Sequence, residues 1–254
     1  MAMSDDLVTP AWRDGHVEPG AVARAARGLA AGGVVGLPTE TVYGLAAVAR
    51  DRAAVARVFT IKGRPSDHPV IVHVAGAEAL RVWGSGVADY AVRLAEGLWP
   101  GPLTLVVPAA DDVPRSLTGG QDTVGLRCPA HPVALAVIDA AGPVAAPSAN
   151  RFGQVSPTTA VDVVADIGDR LDPARDLVLD GGACPVGVES TILDCTTDAP
   201  RVLRWGAIEI AQIEAVGGRP VSADASAIRA PGGLASHYAP RAMVHLGSDA
   251  APGD

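Results

Sequence analysis

Residues 51–74, "DRAAVARVFTIKGRPSDHPVIVHV", set a helix, a polar loop and a strand in direct succession. Asp51 is a good N-cap for RAAVARVF, whose apolar positions recur at helical spacing, and PVIVHV alternates as a strand does. The same mixture continues outward. On the N-terminal side, PGAVARAARGLAA (19–31) reads as a helix with Pro19 near its start and Gly32-Gly33 as its stop, followed by VVGLP as a short buried strand. On the C-terminal side PLTLVVPA, PVAAP, DLVLDGG, STILDC and RVLRW read as strands. HPVALAVIDAAG, AVDVVADIG behind a Thr158 or Thr159 cap, and AIEIAQIEAVGG read as helices. Without a strict βαβ rhythm, this order predicts an α/β fold: an open, twisted mixed sheet of about six or seven strands flanked by helices. From 218 to 241 the composition shifts to Gly, Pro, Ser and Ala, so residues 1–217 are expected to form the main domain and 218–254 a linker and tail.

Composition narrows the function. At 254 residues with 48% hydrophobic and 19% charged content, the chain has the make-up of a soluble globular protein. A net charge of −8 argues against broad binding to a nucleic-acid backbone, so any anion site must be local. Cys128, Cys184 and Cys195 form no CxxC pair, and they read as buried thiols of a reducing cytoplasm rather than as a disulfide framework or a metal site. Neither a signal pattern nor a run long enough to span a membrane is visible, which points to a cytoplasmic location and no membrane partner.

One lysine stands among nineteen arginines, and it is Lys62, two residues before Arg64. Arginine offers a planar fork to a carboxylate or phosphate, whereas lysine places a compact charge where phosphoryl charge develops. The bland alternative is a wet helix C-terminus that favours any cation. Further polar clusters interrupt the apolar strands at their ends: PTETVYGL (38–45), TVGLRCP (123–129), APSANRFGQVSPT (146–158), GVEST (187–191) and LRWG (203–206). Strand ends are where α/β folds gather ligands, so the clusters point to one shared crevice. Singly, Thr39, Thr41 and Ser148 could cap turns, Arg204 could be a solvated charge, His73 a core histidine and Glu189 an arginine partner. No GxxxxGK[ST] and no GxGxxG is present, so a triphosphate would be bound without a P-loop, and Mg²⁺ would arrive on its phosphates.

In order, PTETVYGL, KGRP…PVIVHV, WPGPLTLV, VGLRCP, PSANRFGQVSPT, GVESTILD and VLRWGAI resemble the motifs of the YrdC/Sua5 family of L-threonylcarbamoyladenylate synthases. PGGLASHYAP (231–240) resembles the linker of longer Sua5-type members, and the second domain of those members is expected to be missing here. The resemblance implies a YrdC-like sheet around a large concave cavity. It also implies a nucleotidyltransferase that makes threonylcarbamoyl-AMP and pyrophosphate from L-threonine, bicarbonate and ATP, for N6-threonylcarbamoylation of tRNA adenosine 37 by a downstream transferase. By motif, Lys62, Arg64, Ser148 and Asn150 match the signature tetrad. Lys62, Arg64, His68, Thr123, Asn150, Ser156, Thr158, Arg204, His237 and Tyr238 would contact ATP, the last two as a lid. Thr41, His73, Arg127, Ser148 and Ser190 would enclose threonine. His68 departs from the Asn usual in the family. A YrdC-like module that binds RNA without chemistry, a carbamoyl-transfer partner domain, and a paralogue using another amino acid stand as alternatives.

Overall fold

The computed structural model describes residues 7–224 and 226–232. Its strands are β1 (Val8–Pro10), β2 (Trp12–Arg13), β3 (His16–Val17), β4 (Val35–Leu37), β5 (Gly44–Val48), β6 (Ile71–His73), β7 (Leu103–Pro108), β8 (Thr123–Arg127), β9 (Val144–Ala145), β10 (Leu177–Asp180), β11 (Thr191–Asp194) and β12 (Arg201–Arg204). Helices α1 (Pro19–Ala30), α2 (Arg52–Lys62), α3 (Ala79–Trp83), α4 (Asp89–Leu98), α5 (Arg115–Thr118), α6 (Pro132–Ala141), α7 (Ala160–Ile167) and α8 (Ile210–Gly217) flank them. Ten strands form one mixed sheet in the order β1-β10-β4-β5-β9-β6-β8-β7-β11-β12, and β2 and β3 form a separate hairpin. The sheet is larger than the expected six or seven strands because β1, β5 and β8 join the ones legible in the sequence.

Side-chain alternation sorts the strands into layers. In β10, Leu177 and Leu179 face a cluster built with α1 and α6, whereas Val178 faces the opposite cluster with Val58 of α2 and Val163 of α7. β5 divides likewise, with Ala46 on the first side and Leu45 and Ala47 on the second. This part of the sheet has apolar helices on both faces.

Beyond β9 helices cover only one face. Val70, Val72, Val74, Leu103, Leu105, Val107, Val124 and Leu126 pack with α3, α4 and α8. The other face presents Ile71, His73, Thr104, Gly125 and Arg127, since side chains one residue apart point oppositely. The parallel register of β6 and β8 pairs His73 with Arg127, which puts both on that helix-free face.

The chain after α8 departs from a solvated linker. Val202 N–H donates to the Ser222 carbonyl and Ser222 N–H to the Pro200 carbonyl, while Ile228 and Ala230 pack on Ile71, Val106 and Ile192. Gln121 Nε2 donates to the Arg229 carbonyl at 3.1 Å, and its Oε1 accepts the Arg229 N–H at 2.8 Å.

Candidate active site

The helix-free face floors a cleft of about 520 Å³, counted to its open mouth, whose wall includes Thr39, Thr41, Arg64, Ile71, His73, Arg127, Ser148, Glu189, Ser190 and Arg204. A smaller, more enclosed pocket adjoins it over Thr104, Gln121, Thr123 and Gly125, and Ile71 and Pro231 border both. Seven of the residues expected at the site (Thr41, Arg64, His73, Arg127, Ser148, Ser190 and Arg204) thus converge on one cleft, with Thr123 in the adjoining pocket.

Lys62 is placed by helix geometry. Asp51 caps α2 by accepting the N–H groups of Ala53 and Ala54, and Gly63, at φ 64°, ends the helix in the left-handed region that glycine adopts without strain. Lys62, in the last turn, is buried, and its Nζ donates to the carbonyls of Ser148 and Asn150, each at 2.6 Å. The ammonium therefore gathers the SAN loop around itself. Burial, aided by Arg64, pushes its pKa down to about 7, while the two carbonyls favour the charged form. Asn150 Nδ2 is bound to the carbonyls of Arg151 and Gln154, whereas its buried Oδ1 has no partner among the described residues. Arg64 is buried as well and donates from Nη2 to the Pro69 carbonyl at 2.8 Å.

At the opposite end, Arg127 is held by its Nε donating to the Gly101 carbonyl at 3.3 Å. Its Nη2 stands 2.7 Å from Glu40 Oε1 as an ion pair set off the line of a hydrogen bond, so neither atom is hydrogen-bonded within the described residues. Burial, with Arg127 adding, pushes His73 down to about 3, and its imidazole is neutral at physiological pH. Thr39 Oγ1 donates to the Val42 carbonyl at 2.6 Å and lies 2.9 Å from Thr41 Oγ1. A hydroxyl has one proton. When Thr39's is directed to Val42, Thr41 donates to Thr39 and offers lone pairs to the cleft.

Arg204 donates from Nε and Nη2 to the Ser190 carbonyl, from Nη2 to Ser190 Oγ at 3.0 Å, and from Nη1 to the Pro231 carbonyl at 3.1 Å. Gly206 is needed beside it, because a Cβ there would meet the backbone of Glu189, Ser190 and Thr191. The outer candidates are engaged with the protein. Ser156 Oγ donates to Glu189 Oε1 at 2.6 Å, so Glu189 takes a serine rather than an arginine. Thr158 bonds Asp162 at the start of α7, where Thr159 forms the capping box. His68 stands edge-on to Phe152, with ring centroids 5.3 Å apart, and burial together with Arg64 lowers its pKa. His237 and Tyr238 lie outside the described residues. Glu40 and the acceptor role of Thr41 were missed in the sequence, where only the PTET motif marked the place.

Among the described residues no helix is long and apolar enough to cross a membrane, and no group of three or more His, Cys, Asp or Glu residues is placed to hold a metal ion.

Compared with known proteins, residues 27–206 match the Sua5/YciO/YrdC family model, described as telomere recombination. Residues 208–253 match the model of the threonylcarbamoyl-AMP synthase C-terminal domain. The second match overturns the expectation that the C-terminal Sua5 domain is missing. Small-residue composition had read as a linker, yet the described part of that segment pairs with β12 and packs on the sheet. The threonylcarbamoyl-AMP synthases of Pyrococcus abyssi and Bacillus subtilis are each 44% identical, over 84% and 89% of this chain. The chain spans 64% and 66% of their lengths, a little under two thirds. A putative threonylcarbamoyl-AMP synthase of Mycobacterium leprae is 40% identical over 79% of this chain and 90% of its own. The crystal structure of P. abyssi Sua5 complexed with L-threonine superposes with a TM-score of 0.84 at 41% identity, covering 92% of this chain and 69% of that one. E. coli YciO gives 0.65 at 25% identity over 80% of this chain and 95% of its own. In sequence and in fold, the chain belongs to the Sua5/YciO/YrdC family.

Proposed function

We propose that this chain is an L-threonylcarbamoyladenylate synthase. The observation that carries the reading is the convergence of Arg64, Ser148 and Arg204 on the same cleft as Thr41, His73, Arg127 and Ser190, which sets groups suited to phosphates beside groups suited to an amino acid. Relatives at 40–44% identity named threonylcarbamoyl-AMP synthase, one of them as putative, support it. The amine of threonine takes up bicarbonate, forming an N–C bond and losing water, to give a carbamate. A carbamate oxygen then attacks the α-phosphorus of ATP, the bond from that phosphorus to the α–β bridging oxygen breaks, and pyrophosphate leaves.

No protein nucleophile is required, so the residues act by position and charge. Arg127 receives the substrate carboxylate. Thr41 accepts a donor from the amino acid, and neutral His73 shapes the pocket without adding charge. Arg64 and Arg204 face the polyphosphate, and Lys62 holds the SAN loop that Ser148 and Asn150 present to it. Mg²⁺ bound through the phosphates offsets their charge, and the lone carboxylate of Glu189 with the cleft hydroxyls fits a metal that keeps phosphates and waters as most of its ligands. His237 and Tyr238 would close over the nucleotide, and His68 and Thr123 flank its path. The product passes to a transferase acting on tRNA.

Pyrophosphate release should require ATP, threonine and bicarbonate together, and should fall by about two orders of magnitude in Lys62→Ala, which leaves two loop carbonyls unheld. Equal release with serine would point to another acceptor. No release with any amino acid, while tRNA still shifts on a gel, would favour an RNA-binding module.

A further inference from the structure

Thr39 and Thr41 line the cleft, but Glu40 between them does not. The bend at residues 40–42 sets its side chain against Arg127, where it is nine-tenths buried and the Arg127 side chain is 5% exposed. Two backbone bonds fix the acid there: Oε2 accepts the Ala130 N–H at 3.1 Å, and the Glu40 carbonyl accepts the Val186 N–H at 2.9 Å. The arginine is thus held from two sides, by Gly101 at Nε and by the charge of Glu40 near Nη2. Nη2 is buried against Glu40, and the Arg127 side chain it belongs to lines the cleft. A guanidinium fixed in place on a cleft wall is preorganised for a planar two-oxygen anion.

We infer that Glu40 is a positioning residue that fixes the Arg127 fork for the α-carboxylate of the amino-acid substrate, and so sets the preference for a free carboxylate over its amide. This deepens the functional reading above and rests on it. Glu40 also balances the charge of Arg127, so that the pocket does not trap anions indiscriminately. Gln is a poor replacement. With its carbonyl toward Arg127, its NH₂ would face the Ala130 N–H, donor against donor.

The test compares L-threonine with L-threoninamide, which keeps the amine and hydroxyl and lacks the charge, by pyrophosphate release in wild type and Glu40→Gln. The expected result is a rise of about tenfold or more in KM for threonine, kcat within about twofold, and threoninamide nearly unaffected, so that the threonine-to-amide ratio of kcat/KM falls about tenfold. General damage to the fold would lower both substrates alike and leave the ratio unchanged, which would overturn the inference. A fall in the threonine KM would overturn it too, by showing that Glu40 competes with the substrate. Should Glu40→Gln fail to fold, Glu40→Asp, which keeps the charge and shortens the reach, carries the same ratio as its readout. A wild-type protein inert with threonine would sink the functional reading and this inference together, whereas an unchanged ratio in an active enzyme sinks this inference alone.

Discussion

Around β10, β4 and β5, apolar side chains leave the sheet in both directions and meet α1 and α6 on one side, α2 and α7 on the other. Around β6, β8 and β7 they leave in one direction only, and the face without helices holds the polar groups of the cleft. Each half has a buried ion pair, and the pairs differ as the halves do. Asp176 accepts four bonds, from Val34 N–H, Arg57 Nη1, Arg57 Nη2 and Asp172 N–H, so that no oxygen is left for a ligand. Glu40 and Arg127 meet through a single 2.7 Å contact outside hydrogen-bond geometry, and the arginine lines the cleft. A pair sealed by four bonds holds structure, and a pair whose arginine lines a cleft can also meet a ligand.

The largest effect that would test this contrast is on stability. Asp176→Ala strands two backbone N–H groups and the inner arms of Arg57, and should cost about 3–5 kcal/mol by urea unfolding while KM for threonine stays unchanged. Burial opposes the Asp176 charge, but the Arg57 bonds and the backbone donors hold its pKa below the usual value. Its contribution is therefore present above the unfolded carboxylate pKa and is lost as the pH falls through the lower folded value. Equal loss of stability in Arg127→Gln would erase the distinction between the halves. A smaller effect is expected in the cleft half, where Thr39→Val frees the Thr41 proton to turn outward. The preference for threonine over 2-aminobutyrate should then drop about tenfold, with a lower melting temperature because the Val42 carbonyl and the Thr41 and Val42 N–H groups lose their Thr39 partner, and an unchanged preference would show that Thr41 does not meet the substrate hydroxyl.

The same contrast governs what could be read in advance. PVIVHV announced its period and its odd polar member, yet taken alone that member read as a core histidine, and only the family resemblance gave His73 a place in the site; Arg127 shares its face because β8 lies parallel to β6. β5 was hidden because GLAAV is buried at nearly every position and has no alternation to detect. α4 was legible and missed, since Tyr90, Ala91, Leu94, Ala95 and Leu98 recur at helical spacing. The Glu40–Arg127 pair could not be read, because the residues come from strand ends far apart in the chain and no local pattern encodes their meeting. The segment after α8 was misjudged for a related reason. Small residues that pack closely on a sheet share their composition with small residues that stay solvated.

The smallest effect concerns protons and turns on the one lysine. With burial and Arg64 pushing Lys62 down to about 7, the empty enzyme should lose its ammonium as the pH rises through that value, and kcat/KM for ATP should fall by up to about tenfold per unit above it. Bound polyphosphate favours the charged form, so the limb in kcat should lie at higher pH than the limb in kcat/KM. Stability should move the other way. Between about 7 and the ordinary lysine value the unfolded chain binds the proton that the folded chain releases, so this group's unfavourable contribution is relieved as the pH rises. His73, already neutral, adds no inflection in that range. Activity falling while resistance to urea grows would separate loss of this proton from general alkaline damage, which lowers both. A kcat/KM profile level to pH 9 would mean that the Ser148 and Asn150 carbonyls, at 2.6 Å, hold the proton against burial.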